Sequence, residues 1–519
     1  FQNFAATDTC SLGTGRFIRI GTFGEASSDN TSIYAQDSWT VNNRLTFNFG
    51  LRLEQEVVPS FGDPNTTSDI EFGWGDKLAP RFGGAYDVSG DGKTKIFGSY
   101  GWFYDRFKYE LPRGLFGAET FQDALFNITP ARGTSPRDYT LAAVLGGRGI
   151  IPGGACPITG ATGYAECEID RRVPTNTVGA DPFAGTGAVD PNLKAMRQSE
   201  YTFGVERQIA NSFVLAARYT HKQLDRAIED IGAFNDQGSE AYIIGNPGLG
   251  LSCEVSQTSG LPCTRAERKY DAVEVRVDKR ASKYFFNASY TWSRLFGNYS
   301  GLASSDELGR SSPNVNRFFD LPLLGYTAAG NPDNGLLGTD RTHVVKAYGG
   351  YNFDWGDGSN STSVSGFTTL QSGTPLTTVY DLFGVTTANL NGRGDLGRTP
   401  MFSESDLSIS HTYRFGRDNK WSFQPFIEFQ NIFDENNILG VQRALSGSNI
   451  TDSQLRAVGC TACTDEVATF QQLLVNGGID AFVRAHFATN PDGLTNNDYN
   501  QPNTFQAGRD IRFGFKFKF

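Results

Sequence analysis

Cys460 and Cys463 bracket the tetrapeptide Cys-Thr-Ala-Cys, a spacing that could serve dithiol redox chemistry or half of a tetrahedral zinc site. Redox use requires the pair to open a helix within a βαβ unit, and zinc requires a second pair of ligands. The tetrapeptide instead sits in a long polar stretch, and the four histidines (His221, His343, His411, His486) are scattered singly. The reading left is a local disulfide. Cys156/Cys167 and Cys253/Cys263 are likewise close pairs, and three such pairs suit loop disulfides in an oxidising compartment. Cys10 is unpaired, so its partner is expected upstream of residue 1.

Other fragments fall short of the chemistry they suggest. Gly92-Lys93-Thr94 ends like a phosphate loop, but the first glycine of that motif would fall at Asp87. Asp87, Ser89, Asp91 and Gly92 imitate half a calcium loop, yet its closing glutamate position is Gly98. No G-x-S-x-G elbow occurs. The sequence therefore assigns no catalytic, cofactor-binding or metal-binding residue, and an enzyme is not expected.

The elements that would position any site come from composition and period. The 519 residues include 41 Phe, 20 Tyr and 60 Gly but only 2 Met, with a mean hydropathy of −0.36. No apolar run is long enough for a membrane-crossing helix. A membrane-crossing strand, however, needs only about 9–11 residues, half of them polar. The net charge of −10 argues against nucleic acid as a partner. No basic and then apolar leader opens the chain.

At the end of the chain Ile511, Phe513, Phe515, Phe517 and Phe519 alternate with Arg512, Gly514, Lys516 and Lys518, giving one greasy and one wet side. The same alternation predicts strands over 31–41, 44–56, 78–88, 93–105, 198–208, 212–225, 270–281, 284–297, 342–354, 360–371, 404–415, 420–433 and 509–519, with a less regular one at 16–24. Between them, tight turns such as Asn42-Asn43 and Ser89-Gly90-Asp91-Gly92 alternate with long connections at 57–77, 106–197, 226–269, 298–341, 372–403 and 434–508. That asymmetry predicts an all-β, antiparallel transmembrane barrel with short periplasmic turns and long extracellular loops. Rings near strand ends (Trp39, Trp102, Trp292, Trp355, Trp421) suit interfacial girdles. With the C-terminus in the periplasm, the three cysteine pairs fall in extracellular loops. About 13 or 14 strands are predicted, whereas transporters with plugged lumens have about 22, so the chain is expected to be the C-terminal part of a larger barrel. Arg52, Glu54, Arg218, Glu274, Arg276, Glu428 and Arg512 are expected to line its lumen. Val467, Phe470, Leu473 and Leu474 are spaced as one helical face and are expected to cap a loop from within.

Several segments resemble one family. Tyr34-Ala35-Gln36-Asp37-Ser38-Trp39, followed by Arg44-Leu45-Thr46-Phe47-Asn48-Phe49-Gly50-Leu51-Arg52, is similar to the paired-strand signature of TonB-dependent receptor barrels. So are Leu78-Ala79-Pro80-Arg81-Phe82-Gly83, Tyr290-Thr291-Trp292-Ser293, Asp340-Arg341-Thr342-His343, Gln371-Ser372-Gly373-Thr374-Pro375 and Phe429-Gln430-Asn431-Ile432-Phe433. The set is most similar to the Oar-like subgroup, and the resemblance spans residues 31–519. It implies a Gram-negative outer-membrane location, a plug and TonB box upstream, and uptake coupled to the TonB complex. It also implies that the barrel-assembly machinery reads the terminal aromatic Phe519. The expected partners are thus outer-membrane lipid, TonB, that machinery and an extracellular ligand bound by the long loops, 106–197 and 434–508 foremost. A passive channel and a surface adhesin anchored by the barrel are the alternatives.

Overall fold

The computed structural model describes residues 13–22, 28–58, 70–107, 119–128, 151–152, 167–170, 176–178, 187–234, 240–258, 263–299, 333–356, 359–382, 386–445, 450–465, 468–469, 472, 480–489 and 496–519. Its main body is a 15-stranded antiparallel sheet. One continuous path runs through β1 (Asp29–Val41), β2 (Leu45–Val58), β3 (Ala79–Asp87), β4 (Thr94–Tyr104), β5 (Arg197–Ala210), β6 (Phe213–Arg226) and β7 (Arg268–Arg280). It continues through β8 (Tyr284–Gly297), β9 (His343–Trp355), β10 (Asn360–Gln371), β11 (Phe402–Phe415), β12 (Trp421–Gln430) and β13 (Asp510–Lys518). Two short strands, Ile70–Phe72 and Gly335–Leu336, lie alongside β2 and β8. Among the described residues the sheet is open, with β1 and β13 at its edges.

Register keeps each face of one character. Phe513 lies opposite Ile427, then Ile409, Val364, Tyr351 and Tyr284 in turn. Across the other strands, Tyr290 leads through Val275, Ala217, Val205, Ile96, Tyr86 and Leu45 to Val41. Directly opposed residues share a face, so both rows belong to one apolar surface. That surface is uncovered: Phe203 is 60%, Phe515 73% and Phe513 78% exposed. An apolar face this continuous would aggregate in water, and a bilayer is the solvent that fits it.

The short turns follow from local chemistry. Asn42 and Asn43 both have positive φ, 52° and 53°, which gives the primed two-residue turn that matches strand twist, closed by Arg44 N–H donating to Val41 O at 3.1 Å. Asp87 accepts from Gly90 N–H at 3.0 Å and Gly92 N–H at 2.8 Å, and Asp91 accepts from Ser89 Oγ at 2.6 Å. The half calcium loop is thus spent on holding its own turn. Ser89, and then Lys93, hold the Asp91 carboxyl below the usual carboxylate range.

On the wet face, Phe97 lies directly across from Gly204, and Phe426 across from Gly514. A Cβ on Gly204 would come within 2.5 Å of Phe97 Cζ, so glycine is required there by the close approach of the ring.

Among the described residues, the buried apolar clusters sit at the long-connection end. Ala227, Tyr299, Tyr380, Leu390, Ile450, Leu455, Val483 and Phe487 form one buried cluster drawn from four different connections. Val58, Ile70, Phe72, Phe107, Val189 and Ile244 form another. Two helices, α1 (Gly250–Thr258) and α2 (Asp452–Ala457), lie in these connections, as does α3 (Asp480–Thr489). The irregular segment 16–24 proves to be a strand, Gly13–Thr22, paired with Glu119–Ile128 in a separate sheet.

Candidate functional site

The chemistry-bearing side chains collect in two places, the wet wall of the sheet and the mouth where the long connections meet. On the wall, charges of both signs are interleaved from strand to strand. Lys95 pairs with Glu206 at 2.7 Å, Glu206 reaches Arg276 at 3.7 Å, and Arg276 pairs with Asp278 at 2.8 Å. A second row joins Arg218 to Glu274 at 3.1 Å, and a third joins Lys222 to Glu200 at 3.1 Å. Arg52 pairs with Glu54 at 2.9 Å on β2, and Arg512 with Asp510 at 3.0 Å on β13. Arg52, Glu54, Arg218, Glu274, Arg276, Glu428 and Arg512 therefore all stand on the face opposite the apolar one. Most of these pairs are part-exposed, so each contributes little to stability; what they make is a polar, water-compatible wall.

The mouth is braced by buried polar groups. Lys77 and Glu56, 1% and 0% exposed, form a buried ion pair. Glu56 also accepts from the Phe107 N–H at 3.0 Å, and Lys77 donates to Asp105 O at 3.2 Å. Asp340 accepts from Leu295 N–H and from Arg398 Nη2, both at 2.5 Å. Arg398 Nη1 also donates to Gly373 O at 2.8 Å, and Arg341 Nη1 to Ser372 O at 2.8 Å. Burial, together with the neighbouring Arg398, pushes the Arg341 pKa down. Asn431 is 1% exposed with φ 51°, and its Nδ2 donates to Glu435 O at 2.9 Å and Ala507 O at 3.0 Å. The segments around Asp340, Ser372 and Asn431 that stood out in the sequence thus act here as braces between long connections. Burial, then the Glu229 carboxylate, pushes the Tyr299 phenol well up.

The cysteines divide by place. Cys460 and Cys463 are bonded to each other, 1% and 0% exposed, inside the shared core just after α2. Sulfurs enclosed in this way are out of reach of a dithiol substrate. Cys253 in α1 is bonded to Cys263. The backbone of Cys167 lies in the strand Cys167–Asp170, while Cys10 and Cys156 fall outside the described residues, as do Val467, Phe470, Leu473 and Leu474. Phe519 is 90% exposed on the apolar face, its ring 6.3 Å from that of Phe517. Among the described residues, no group of three His, Cys, Asp or Glu side chains converges as a metal site would require.

Two features escape a reading of the sequence. The Lys77–Glu56 brace joins residues 21 apart in chain that no local pattern links. The merging of four connections into one core rests on single apolar residues dispersed through polar stretches. Ile450, a single apolar residue within Ser448-Asn449-Ile450-Thr451-Asp452, was the available signal.

Comparison with known proteins places this architecture. Residues 73–396 match the family model described as "Outer membrane beta barrel domain". A curated relative, the TonB-dependent transporter Oar of Myxococcus xanthus, is 28% identical over 518 residues, covering 95% of this chain and 43% of its own length. The chain thus spans less than half of that relative. Among solved structures, the outer membrane transporter YddB from Escherichia coli is 9% identical with a TM-score of 0.42, covering 80% of this chain and 52% of its own. The ferripyoverdine receptor of the Pseudomonas aeruginosa outer membrane is 10% identical with a TM-score of 0.41, covering 80% of this chain and 36% of its own.

Proposed function

This chain belongs to the outer membrane beta barrel domain family, and we propose that it is the C-terminal barrel portion of a TonB-dependent receptor. It resides in the Gram-negative outer membrane, and its similarity to Oar supports a role in transport across that membrane rather than catalysis. In the proposed reading, the long connections bind an extracellular ligand, which passes along the charged wet wall under TonB-coupled work. Outer-membrane lipid covers the apolar face. The barrel-assembly machinery recognises the closing strand that ends in Phe519, and Cys253/Cys263 and Cys460/Cys463, with Cys156/Cys167, serve as loop disulfides.

The observation that carries the reading is the two-faced register: one face apolar and uncovered across every strand, the other a lattice of opposed charges. A wide polar lumen leaks unless something fills it, and removing the filling requires energy from elsewhere. Reconstitution of the native protein, isolated from outer membranes, into planar bilayers tests this. A plugged receptor gives no steady conductance until a denaturant strips its plug, and it cross-links to TonB in membranes. Steady conductance from the first insertion, with no TonB cross-link, would instead make it a passive channel.

A further inference from the structure

The wet wall is not uniform. Across β8 to β13, one row of opposed residues reads Phe285, Gly350, Ser365, Ser408, Glu428, Arg512. Three successive strands thus place Gly, Ser and Ser side by side, next to a row that carries Tyr348, Phe367 and Asp406, which hollows the wall beside those larger side chains. The result is a recess of about 420 Å³. The next row supplies its sides: Tyr348 opposes Phe367, which opposes Asp406, and Asp510 stands across from Gln430.

The sides differ in chemistry. Phe285, Tyr348 and Phe367 are 41%, 43% and 37% exposed although they stand on the water-facing wall, and the first two rings lie 6.1 Å apart. Uncovered rings on a polar wall are surface that a ligand can use. Opposite them, Asp406, Glu428 and Asp510 set three carboxylates against one guanidinium, Arg512. Arg512 is engaged with Asp510, and Asp406 accepts from Asn431 N–H at 2.9 Å, whereas no cation pairs with Glu428 among the described residues. Ring faces beside net negative charge attract organic cations.

We infer that this recess between β8 and β13 is a binding site for a guanidinium or ammonium group on a short carbon stem, the apolar stem against the rings and the cation against Glu428. This deepens the lumen reading and rests on it. Such a group can arrive as a diffusing cation or as an arginine or lysine side chain of a polypeptide segment inside the barrel.

Thiol reporters on the full-length protein in outer-membrane vesicles test it. Ser408→Cys is reacted with a cationic and an anionic methanethiosulfonate, the unsubstituted protein giving the background rate, with Ser365→Cys as a second reporter should the first fail to assemble. Focused negative potential predicts at least about a tenfold faster reaction with the cationic reagent. Glu428→Gln with Asp510→Asn should collapse that preference. Ser289→Cys, which faces Arg276 and Lys346, should show no cationic preference. Slowing of the cationic reaction by added arginine amide assigns the recess to a diffusing cation. A retained preference without such slowing assigns it to a tethered segment. Equal rates for the two reagents at Ser408→Cys would overturn the cation site while leaving the lumen reading intact. Reaction only with a lipid-partitioning maleimide would overturn both.

Discussion

Replacing Lys77 by Met should be among the most damaging single changes at the mouth. The ammonium group is 1% exposed and is held by Glu56, by Asp105 O at 3.2 Å and, more distantly, by Glu54 at 3.7 Å. Methionine keeps most of the stem volume but leaves the fully buried Glu56 carboxylate with only the Phe107 N–H as a partner. Stranding one member of a buried ion pair costs about 3–5 kcal/mol, whereas an exposed pair of the same length would lose about 0–1. The pair ties β2 to the chain just beyond β4, so the cost should appear as local opening there. Hydrogen–deuterium exchange mass spectrometry of the peptide carrying Phe107 should show protection falling by roughly two to three orders of magnitude. Lys77→Met combined with Glu56→Leu should recover most of that loss, because an apolar replacement of both partners leaves no charge buried. Protection unchanged in Lys77→Met, or a double variant as exposed as the single one, would refute the reasoning.

Three further outcomes follow from the same geometry. Burial lowers the pKa of His486 in α3 from its ordinary 6.5, so its contribution to mouth stability is present above that pH and lost as pH falls through the lower folded value. Proteolytic nicking beside α3 should rise on acidification, and His486→Phe should flatten that pH dependence. Reduction of Cys253–Cys263, which are 10 residues apart in sequence, should destabilise their connection by about 3 kcal/mol on the loop-closure model; thiol labelling should find both blocked before reductant and open after it. Gly204→Val forces Phe97 off its site on β4, and heat-modifiable gel mobility should report a lower unfolding temperature than for Gly75→Val, where nothing lies near the added Cβ.

The sheet was legible because a strand that separates lipid from water must alternate, and alternation is visible without any knowledge of neighbours. The segment 44–56 appears as Leu45–Val58, 198–208 as Arg197–Ala210 and 360–371 as Asn360–Gln371. The turns were legible for a related reason, since Asn42-Asn43 and Asp87 satisfy their own backbones. The mouth was not, because its order depends on meetings between distant residues. Phe107 N–H finds Glu56 across 51 residues, and Thr378 Oγ1 meets Tyr499 Oη across 121. The aromatic recess was hidden for a different reason. Each of its floor residues is an unremarked Gly or Ser within its own strand, and only the register of β8 to β11 sets them side by side.

Whether the long connections face the outside of the cell is the claim on which the functional account stands. A short epitope inserted between residues 258 and 263 and another placed at Asn43, each probed with antibody on intact and then permeabilised cells, test it directly. The account predicts that the first binds antibody on intact cells and the second only after permeabilisation. The reverse pattern would invert the barrel and contradict ligand capture by these connections.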